Sequence, residues 1–194
     1  MSDSSTIGSR IVVVGPTCSG KSTLAATLAE RLDMPLVELD ALFWQPNWVK
    51  SDDETFGAKL GKATAGDARI AAGDYRRVSE RVLWPRAETI VWLDFRLSLV
   101  ARRLLARSWR RWRNKEMLWG TNRERFLALL YRRDSLFYYA IRTHRSHRRG
   151  WLGMMADPRW SHLNFVQLRS PAELARWLAQ TAPSRDDRDS SVRP

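Results

Sequence analysis

The sequence predicts a three-layer α/β domain, in which helices cover both faces of a five-stranded parallel sheet. Five short apolar runs alternate with stretches that have helical spacing, and this alternation is typical of parallel sheets. A glycine-rich turn follows the first run directly. The chain has 194 residues, a length that fits one domain with a core large enough to need no disulfide or structural metal.

The first half of the chain contains the first two predicted strands. The β-branched run at 11–14 predicts a strand, and apolar residues at helical spacing predict a helix over Lys21–Leu32. A second strand is predicted at 36–39, followed by an aromatic turn. The next helix is predicted at 51–65, with Ser51 as its cap.

The second half contains three further strands and one long excursion from the sheet. Apolar runs predict strands at Arg69–Ala72, Thr89–Leu93 and Asn164–Leu168. Between the last two of these lies a long, mostly helical stretch, 97–156, that is rich in arginine and tryptophan. Because it separates two strands of one sheet, we interpret it as an insert.

The predicted organisation is one domain with polar ends. We expect a flexible N-terminus at 1–9, a domain at 10–180 and a disordered tail at 181–194, since the tail is polar and proline-flanked. Within the domain, 101–156 forms the basic helical insert.

The charge of the chain is concentrated in one segment. Residues 101–150 hold fifteen Lys and Arg against three acidic residues, which accounts for the whole formal charge of +12. We assign the three histidines to this basic patch, because metal sites need more ligands at matched spacing. They are His144, His147 and His162.

Composition also bears on location. The single cysteine, Cys18, cannot form an internal disulfide and suits a reducing compartment. The first ten residues lack the features of a signal peptide, and no run approaches the ~18 apolar residues of a membrane span. We therefore expect a cytoplasmic protein with no membrane partner.

The residues GPTCSGKS at 15–22 match the pattern G-x-x-x-x-G-K-[ST] between a predicted strand and a predicted helix. Gly15 and Gly20 allow the backbone N–H groups to surround an anion at a helix N-terminus. Lys21 would reach the β- and γ-phosphates of ATP, Ser22 would bind Mg²⁺, and Thr23 would lie near the α-phosphate. The predicted cofactor-binding residues are Gly15, Pro16, Thr17, Cys18, Ser19, Gly20, Lys21, Ser22 and Thr23.

With this motif the sequence resembles the adenylate-kinase-like P-loop kinases, and among them the bacterial topology modulation proteins. The segments that carry the resemblance, besides the glycine loop, are LDALFWQPNW at 39–48, GDYRRV at 73–78, WPRAETIVWLD at 84–94 and LRSPAELARWL at 168–178. The resemblance implies a nucleotide-kinase-like P-loop NTPase fold with an arginine-rich helical lid. It also implies ATP and Mg²⁺ as cofactors, and transfer of the γ-phosphoryl group to a small, anionic acceptor such as a nucleotide.

The resemblance further implies roles for single residues. Asp40 follows the second strand, where such kinases receive the acceptor, so it is an acceptor ligand, a base or a water-mediated Mg²⁺ contact; alternatively it caps the next turn. Arg76 stands where nucleotide kinases grip the acceptor phosphate. The insert corresponds to the lid, whose arginines recur at helical spacing and include Arg107 as a catalytic candidate; the others are Arg103, Arg110 and Arg111.

One position departs from the family pattern. The third strand of these kinases usually ends in an acidic residue that serves Mg²⁺, whereas this chain has Ala72 there. Two later carboxylates could compensate, Asp74 and Asp94. Our metal assignment is Ser22 with Asp94, and Asp74 is the alternative carboxylate.

Two other functions remain open at this stage. The basic segment is interleaved with tryptophans and tyrosines, a composition expected of a nucleic-acid-binding surface that neutralises phosphates and stacks on bases. In that case the nucleotide would only switch the fold. A plain ATPase, with water as the acceptor, is the third possibility.

Overall fold

The computed structural model describes residues 7–46, 49–114, 117–118, 122–123 and 136–182. In chain order its elements are β1 (Arg10–Val14), α1 (Lys21–Leu32), β2 (Leu36–Glu38), α2 (Leu39–Phe43), β3 (Trp44–Gln45), β4 (Val49–Lys50), α3 (Asp53–Ala63), β5 (Arg69–Ala72), α4 (Arg76–Val82), β6 (Thr89–Leu93), α5 (Leu97–Asn114), β7 (Met117–Leu118), β8 (Asn122–Arg123), α6 (Leu136–Met155), β9 (Asn164–Leu168) and α7 (Pro171–Thr181). Short 3₁₀ turns lie at Trp84–Arg86 and Pro158–Trp160.

Five strands form one parallel sheet in the order β2-β5-β1-β6-β9. Strand β1 is central, with Val13 opposite Ala72 of β5 and Val14 opposite Trp92 of β6. Parallel strands end at the same edge of the sheet, and ligands of such sheets bind outside the carboxyl ends. The loop after β1 therefore lies between the segments that follow β5 and β6.

Alternation along the strands places a core on each face of the sheet. Val12 and Ile90 belong to one buried cluster, whereas Ile11 and Ile70 belong to the other. Helices α3, α4 and α6 contribute side chains to the first cluster, and helices α1, α5 and α7 contribute to the second. The predicted three-layer α/β architecture with five parallel strands is thus confirmed.

The prediction was wrong at two local features. Helix α3 is capped by Asp52, whose carboxylate accepts from the backbone N–H of Thr55 at 2.7 Å, and not by Ser51. Ser51 is buried and its hydroxyl instead accepts from Gln45 Nε2 at 3.3 Å. The expected aromatic turn is a short helix, α2, followed by a hairpin in which Trp44 pairs with Lys50.

Both ends of the described domain are tied to the sheet layers. The backbone N–H groups of Ser9 and Arg10 donate to Glu88 Oε2 at 2.6 and 3.1 Å. At the other end, the carbonyl of Ala182 accepts from Arg31 Nη1 at 2.8 Å. The rest of the predicted flexible ends, 1–6 and 183–194, lies outside the described residues. No helix formed by the described residues is both long and apolar enough to cross a membrane.

Helix α7 begins with a side-chain cap that can be tested. The Ser170 hydroxyl accepts from the N–H of Glu173 at 3.1 Å, and Glu173 Oε2 accepts from the N–H of Arg169 at 2.7 Å. Ser170→Ala removes the first bond, so we expect a loss of about 1 kcal/mol in the free energy of unfolding. Chemical denaturation measures it. Ser146→Ala is the matched control, because its hydroxyl bonds only within α6; an equal loss in both variants would contradict the capping role.

Candidate functional site

The loop between β1 and α1 requires glycine at its first position. Gly15 has φ of +145°, and a Cβ there would lie 2.9 Å from the carbonyl oxygen of Leu93 and 3.0 Å from Ser19 Oγ. Gly20 has φ of +101°, and Cys18 adopts a left-handed conformation with φ of +62°. Such positive φ values are costly for most side chains. The loop is therefore curled tightly against the end of β6.

The loop leads directly into the N-terminus of a twelve-residue helix, α1. Gly20 is its N-cap residue, no side chain caps it, and its first turn contains no acidic residue. The first N–H groups of a helix have no partner within the helix and lie at the positive end of its dipole, which favours anions. Ser22 and Thr23 present exposed hydroxyl groups on this turn.

Lys21 folds back over the loop. Its ammonium donates to the carbonyl oxygens of Gly15 at 2.8 Å and Pro16 at 3.1 Å. Burial lowers the pKa of Lys21, and the nearby carboxylates of Asp74 and Asp40 oppose this effect. The cation thus contacts the loop and lies near two carboxylates, one in α2 and one in the segment that follows β5.

Asp40 and Asp74 lie in two segments of the chain that approach each other closely at Gly73. A Cβ on Gly73 would lie 2.5 Å from the Cβ of Leu39, so only glycine lets the end of β5 approach the start of α2. The neighbouring residues are Asp74 and Asp40. Asp40 Oδ1 accepts a hydrogen bond from the hydroxyl of Tyr75 at 2.6 Å. No sequence pattern indicated this contact.

The side chain of Asp74 is only 13% exposed. Burial raises its pKa, whereas Lys21 and His147 oppose the rise. Trp151 Nε1 donates to Asp74 Oδ2 at 3.3 Å. Burial thus shifts this carboxyl toward its neutral form, and a cation beside it opposes that shift.

Asp94 has different surroundings. It is 8% exposed, and Arg148 Nε donates to its two oxygens at 3.2 and 2.9 Å. Gln167 Nε2 donates to Oδ2 at 2.7 Å. Its role as a Mg²⁺ ligand stays a prediction, and both of its oxygens are engaged by side chains of other elements.

Helix α5 contributes two arginines to the loop. Arg103 Nη1 donates to the carbonyl of Ser19 at 2.9 Å, and its guanidinium lies 5.3 Å from the ring centroid of Phe95. Arg107 is close enough to Lys21 to lower the pKa of that ammonium. The start of the predicted lid thus adds positive charge beside the candidate phosphate site.

The other arginines predicted for the site have different surroundings from those of Arg103 and Arg107. Arg76 begins α4 and pairs with Glu80, with Nε 2.7 Å from Oε1. Arg110 is exposed on α5. The side chain of Arg111 lies outside what the structure describes.

Sequence reasoning placed the insert over the site as a lid but assigned the histidines of α6 to the basic patch and did not single out Arg148. His147 Nδ1 lies 3.9 Å from Asp74 Oδ2, and burial lowers the pKa of His144. The spacing of His144, His147, Arg148 and Trp151 puts these side chains on one face of a helix. This helical spacing could have indicated a shared role for these residues, but the segment was interpreted from its basic composition instead.

A cleft at the carboxyl edge of the sheet is bordered by Asp94 and by residues of α6. It lies between the segment at 95–99 and the start of α7, where Arg169, Ser170 and Pro171 line it. His144 and Arg148 form its border. Because residues 169–171 follow β9, this cleft lies at the same edge of the sheet as the loop between β1 and α1.

The donor atoms around Lys21 suit a hard cation. Ser22 offers a hydroxyl, and Asp40 and Asp74 offer carboxylates, the oxygen ligands that Mg²⁺ prefers. The described residues contain no group of three or more His, Cys, Asp or Glu side chains that could hold a metal ion. The loop has glycine where other residues would be strained, the N-terminus of α1 has no side-chain cap, and oxygen donors lie nearby. These features fit a nucleotide that is bound together with a metal ion.

Comparison with known proteins shows the fold. No protein-family model matches the chain. A shikimate kinase from Acinetobacter baumannii in complex with shikimate is similar with 17% identity and a TM-score of 0.54, over 97% of each chain. A shikimate kinase from Bacteroides thetaiotaomicron has 16% identity and a TM-score of 0.52, over 87% of this chain and 96% of that one. A sugar kinase from Janibacter sp. HTCC2649 has 18% identity and a TM-score of 0.51, over 91% and 96%. The chain thus has the fold of these P-loop kinases.

Proposed function

We propose that this protein is an ATP-dependent phosphotransferase that transfers the γ-phosphoryl group to a small, anionic acceptor. The observation that supports this most directly is the loop at 15–22. Its backbone requires glycine at position 15, it leads into a helix N-terminus with no side-chain cap, and the ammonium of Lys21 lies against its carbonyl groups. The names of the three similar proteins support it too, since each is a kinase, and shikimate and sugars are small hydroxylated molecules.

The residues around the loop suit phosphoryl transfer, which depends on positioning and on stabilisation of charge. Lys21, Arg103 and Arg107 converge on one side of the loop and can stabilise negative charge on the transferring group. Bound Mg²⁺ would neutralise charge on the phosphate oxygens. Ser22, with a carboxylate beside Lys21, would hold that ion.

Acceptor recognition is proposed for the opposite side of Lys21. Asp40 can orient an acceptor hydroxyl and take up its proton, and its bond from Tyr75 holds the carboxylate in place. Arg76, the residue after Tyr75, supplies a positive charge for an anionic group on the acceptor. On this proposal the protein belongs with the adenylate-kinase-like kinases that its segments resemble, among them the topology modulation proteins, and acts in the cytoplasm.

An ATP-consumption screen tests the proposal. Purified protein is incubated with ATP and Mg²⁺, alone and with pooled small hydroxylated compounds and nucleotides, and ADP release is measured. We expect one pool to accelerate ADP release over ATP alone. Absence of ATP binding by calorimetry would overturn the proposal, whereas acceptor-independent release would identify a plain ATPase.

The two candidate carboxylates predict different results on substitution. We expect Asp74→Asn to weaken Mg²⁺-dependent ATP binding about tenfold or more. Asp94→Asn should change it less than about twofold, because the oxygens of Asp94 already accept from Arg148 and Gln167. Calorimetry with and without Mg²⁺ measures both effects. If both variants keep the full Mg²⁺ response, neither carboxylate serves the metal, and Ser22 or Asp40 does so.

A nucleic-acid-binding role is the second candidate. Among the residues of the basic insert that the structure describes, three aromatic side chains have substantial exposure: Trp109 is 51% exposed, Trp112 48% and Tyr138 48%. Trp109 and Trp112 pack together with ring centroids 5.2 Å apart. Aromatic side chains among arginines can stack on bases while the arginines neutralise phosphates. Arg103, however, contacts the glycine loop, and this favours the lid.

These two roles predict different responses of the insert. For a lid, we expect ATP to protect α5 from hydrogen exchange, with little DNA affinity at physiological salt. A nucleic-acid surface would instead show affinity that falls with salt, by a slope near −0.9 per duplex phosphate neutralised on logarithmic axes. Hydrogen-exchange mass spectrometry measures the protection of α5, and binding assays at several salt concentrations measure the affinity for nucleic acid. Tight nucleic-acid binding at ~150 mM salt without ATP-induced protection would contradict the lid.

A further inference from the structure

The C-terminal half of α6 is anchored in the core of the domain. Trp151 and Met154 are each 3% exposed. The ring of Trp151 lies 5.4 Å from that of Trp84 and stacks at 6.1 Å on that of Trp92, a residue of β6. Moving this half of the helix would expose large aromatic surfaces to water. The turn that precedes Trp151 therefore has a fixed place beside the sheet.

Arg148 lies on that turn, and a buried carboxylate holds its side chain. Arg148 Nε donates to Asp94 Oδ1 at 3.2 Å and to Oδ2 at 2.9 Å, and the side chain of Asp94 is 5% exposed. Gln167 Nε2 of β9 donates to the same Oδ2 at 2.7 Å, while Gln167 Oε1 accepts from Arg169 Nη2 at 3.0 Å. Both ends of the Gln167 amide are engaged, so β9 as well as α6 orients the carboxylate.

This contact leaves most hydrogen-bond donors of Arg148 available. A guanidinium carries five N–H donors, one of them on Nε. Asp94 engages the donor on Nε, and no described residue hydrogen-bonds the two terminal nitrogens. The side chain is 45% exposed. Four donors of a positioned cation can therefore bind a ligand, and their planar arrangement suits the oxygens of a phosphate group.

Arg148 lies between the glycine loop and the cleft formed by the segments at 95–99 and 169–171. On the loop side, Arg148 and Pro16 border one small space of about 10 Å³, which has room for about one water molecule. The guanidinium is therefore close to the loop. On its other side Arg148 lines the cleft, which measures about 680 Å³. Pockets for small ligands measure roughly 300–1,000 Å³. A ligand that extends from the loop into the cleft passes Arg148.

The charges around this cleft favour an anion. Three arginines line it, Arg96, Arg148 and Arg169, together with one carboxylate, that of Asp94. Arg148 and Gln167 already donate to that carboxylate. A divalent cation at Asp94 would have to displace the guanidinium, whereas a phosphate group would be attracted to it.

We infer that Arg148 is a phosphate-binding residue of the site and that Asp94, with Gln167, is the positioning residue that holds it there. This rests on the proposed binding of ATP and deepens it. It also gives Asp94 a role other than the Mg²⁺ ligand that the sequence predicted. An arginine that a buried carboxylate already orders loses little rotamer freedom when the phosphate binds, so its contact costs less entropy than that of a mobile side chain.

Calorimetric titration with ATP tests the binding role. We expect Arg148→Ala to weaken Mg²⁺-ATP affinity about tenfold, because it removes charged donors to phosphate. Arg145→Ala is the matched control. It removes the same charge from an exposed position of the same helix and should change the affinity less than about twofold. Melting temperatures check the fold. Equal losses in the two variants would reduce the effect to the general charge of α6 and would overturn the inference.

Asp94→Ala tests whether this carboxylate acts through Arg148. Alone, we expect it to weaken ATP affinity about as much as Arg148→Ala does, but to add less than about twofold in the Arg148→Ala background. The loss should persist when Mg²⁺ is omitted. A Mg²⁺ ligand would give the opposite pattern, with a further loss in the double variant and no effect without the metal. That pattern would overturn the positioning role.

Arg148→Lys gives the same answer if Asp94→Ala does not fold. A lysine keeps the charge but lacks the planar fork that pairs with Asp94 and binds a phosphate at the same time, so we expect a loss of about fivefold in ATP affinity. Wild-type affinity in this variant would contradict the inference. Wild-type protein that binds no ATP would instead refute the kinase proposal itself.

Discussion

Lys21→Ala is expected to weaken Mg²⁺-ATP binding at least about 100-fold while leaving the fold intact. The ammonium is held at the centre of the loop by the carbonyls of Gly15 and Pro16. Hydrogen bonds to charged groups contribute roughly 1.5–3 kcal/mol each, so the loss of two contacts with phosphate corresponds to about two orders of magnitude or more in Kd.

The fold should tolerate this substitution because burial already disfavours the charged amine. The lowered pKa of Lys21 shows that the folded state holds this cation at a cost in desolvation. Calorimetric titration measures affinity, and circular dichroism with thermal melting checks the fold. Lys62→Ala, an exposed lysine in the last turn of α3, is the matched control and should bind ATP like the wild type. A folded Lys21→Ala protein with wild-type affinity would remove the basis of the proposed function.

Trp151→Ala should produce the largest loss of stability, about 3–5 kcal/mol in the free energy of unfolding. The indole is 3% exposed and lies between the rings of Trp84 and Trp92, so alanine leaves a cavity that the surrounding aromatic side chains cannot fill. For a domain of this size the loss corresponds to a fall in Tm of roughly 6–20 °C.

Two further variants separate packing from hydrogen bonding. Trp151→Phe keeps most of the packing but removes the bond to Asp74, and we expect a loss of about 1–2 kcal/mol. Trp112→Ala changes a tryptophan that is 48% exposed on α5, so its loss should stay below about 1 kcal/mol. Urea denaturation measures all three proteins. Equal losses for Trp151→Ala and Trp112→Ala would show that α6 is not anchored in the core.

Local patterns predicted the elements of the sheet well. The bounds predicted for α1, β5, β6 and β9 agree with the structure. Each is a short strand built mostly of apolar residues or a helix with clear periodicity, and such signals depend on neighbouring residues alone. The helix cap was misassigned because Ser51 and Asp52 are both good capping residues, and the choice between them depends on tertiary contacts to Gln45.

The long insert was harder to interpret. Its basic composition predicted a lid or a nucleic-acid surface, and the histidines were assigned to that surface. In the structure the same helix face carries His147 and Arg148 toward carboxylates that lie more than fifty residues earlier in the chain. No pattern within the segment contains this information, because the pairing depends on which strands flank β1.

By itself, the sequence determined the α/β class, the order along the chain of the five strands of the sheet and the glycine loop between β1 and α1, since period, glycine positions and motif spacing are all encoded within short stretches. The tertiary structure alone decided which carboxylates lie near Lys21, which one is held by Arg148 and where α6 lies relative to the sheet edge. These outcomes depend on the sheet order β2-β5-β1-β6-β9, which brings the ends of distant strands to one edge. They depend also on the burial of Trp151, because a packed indole holds the histidines of the preceding turn above the loop.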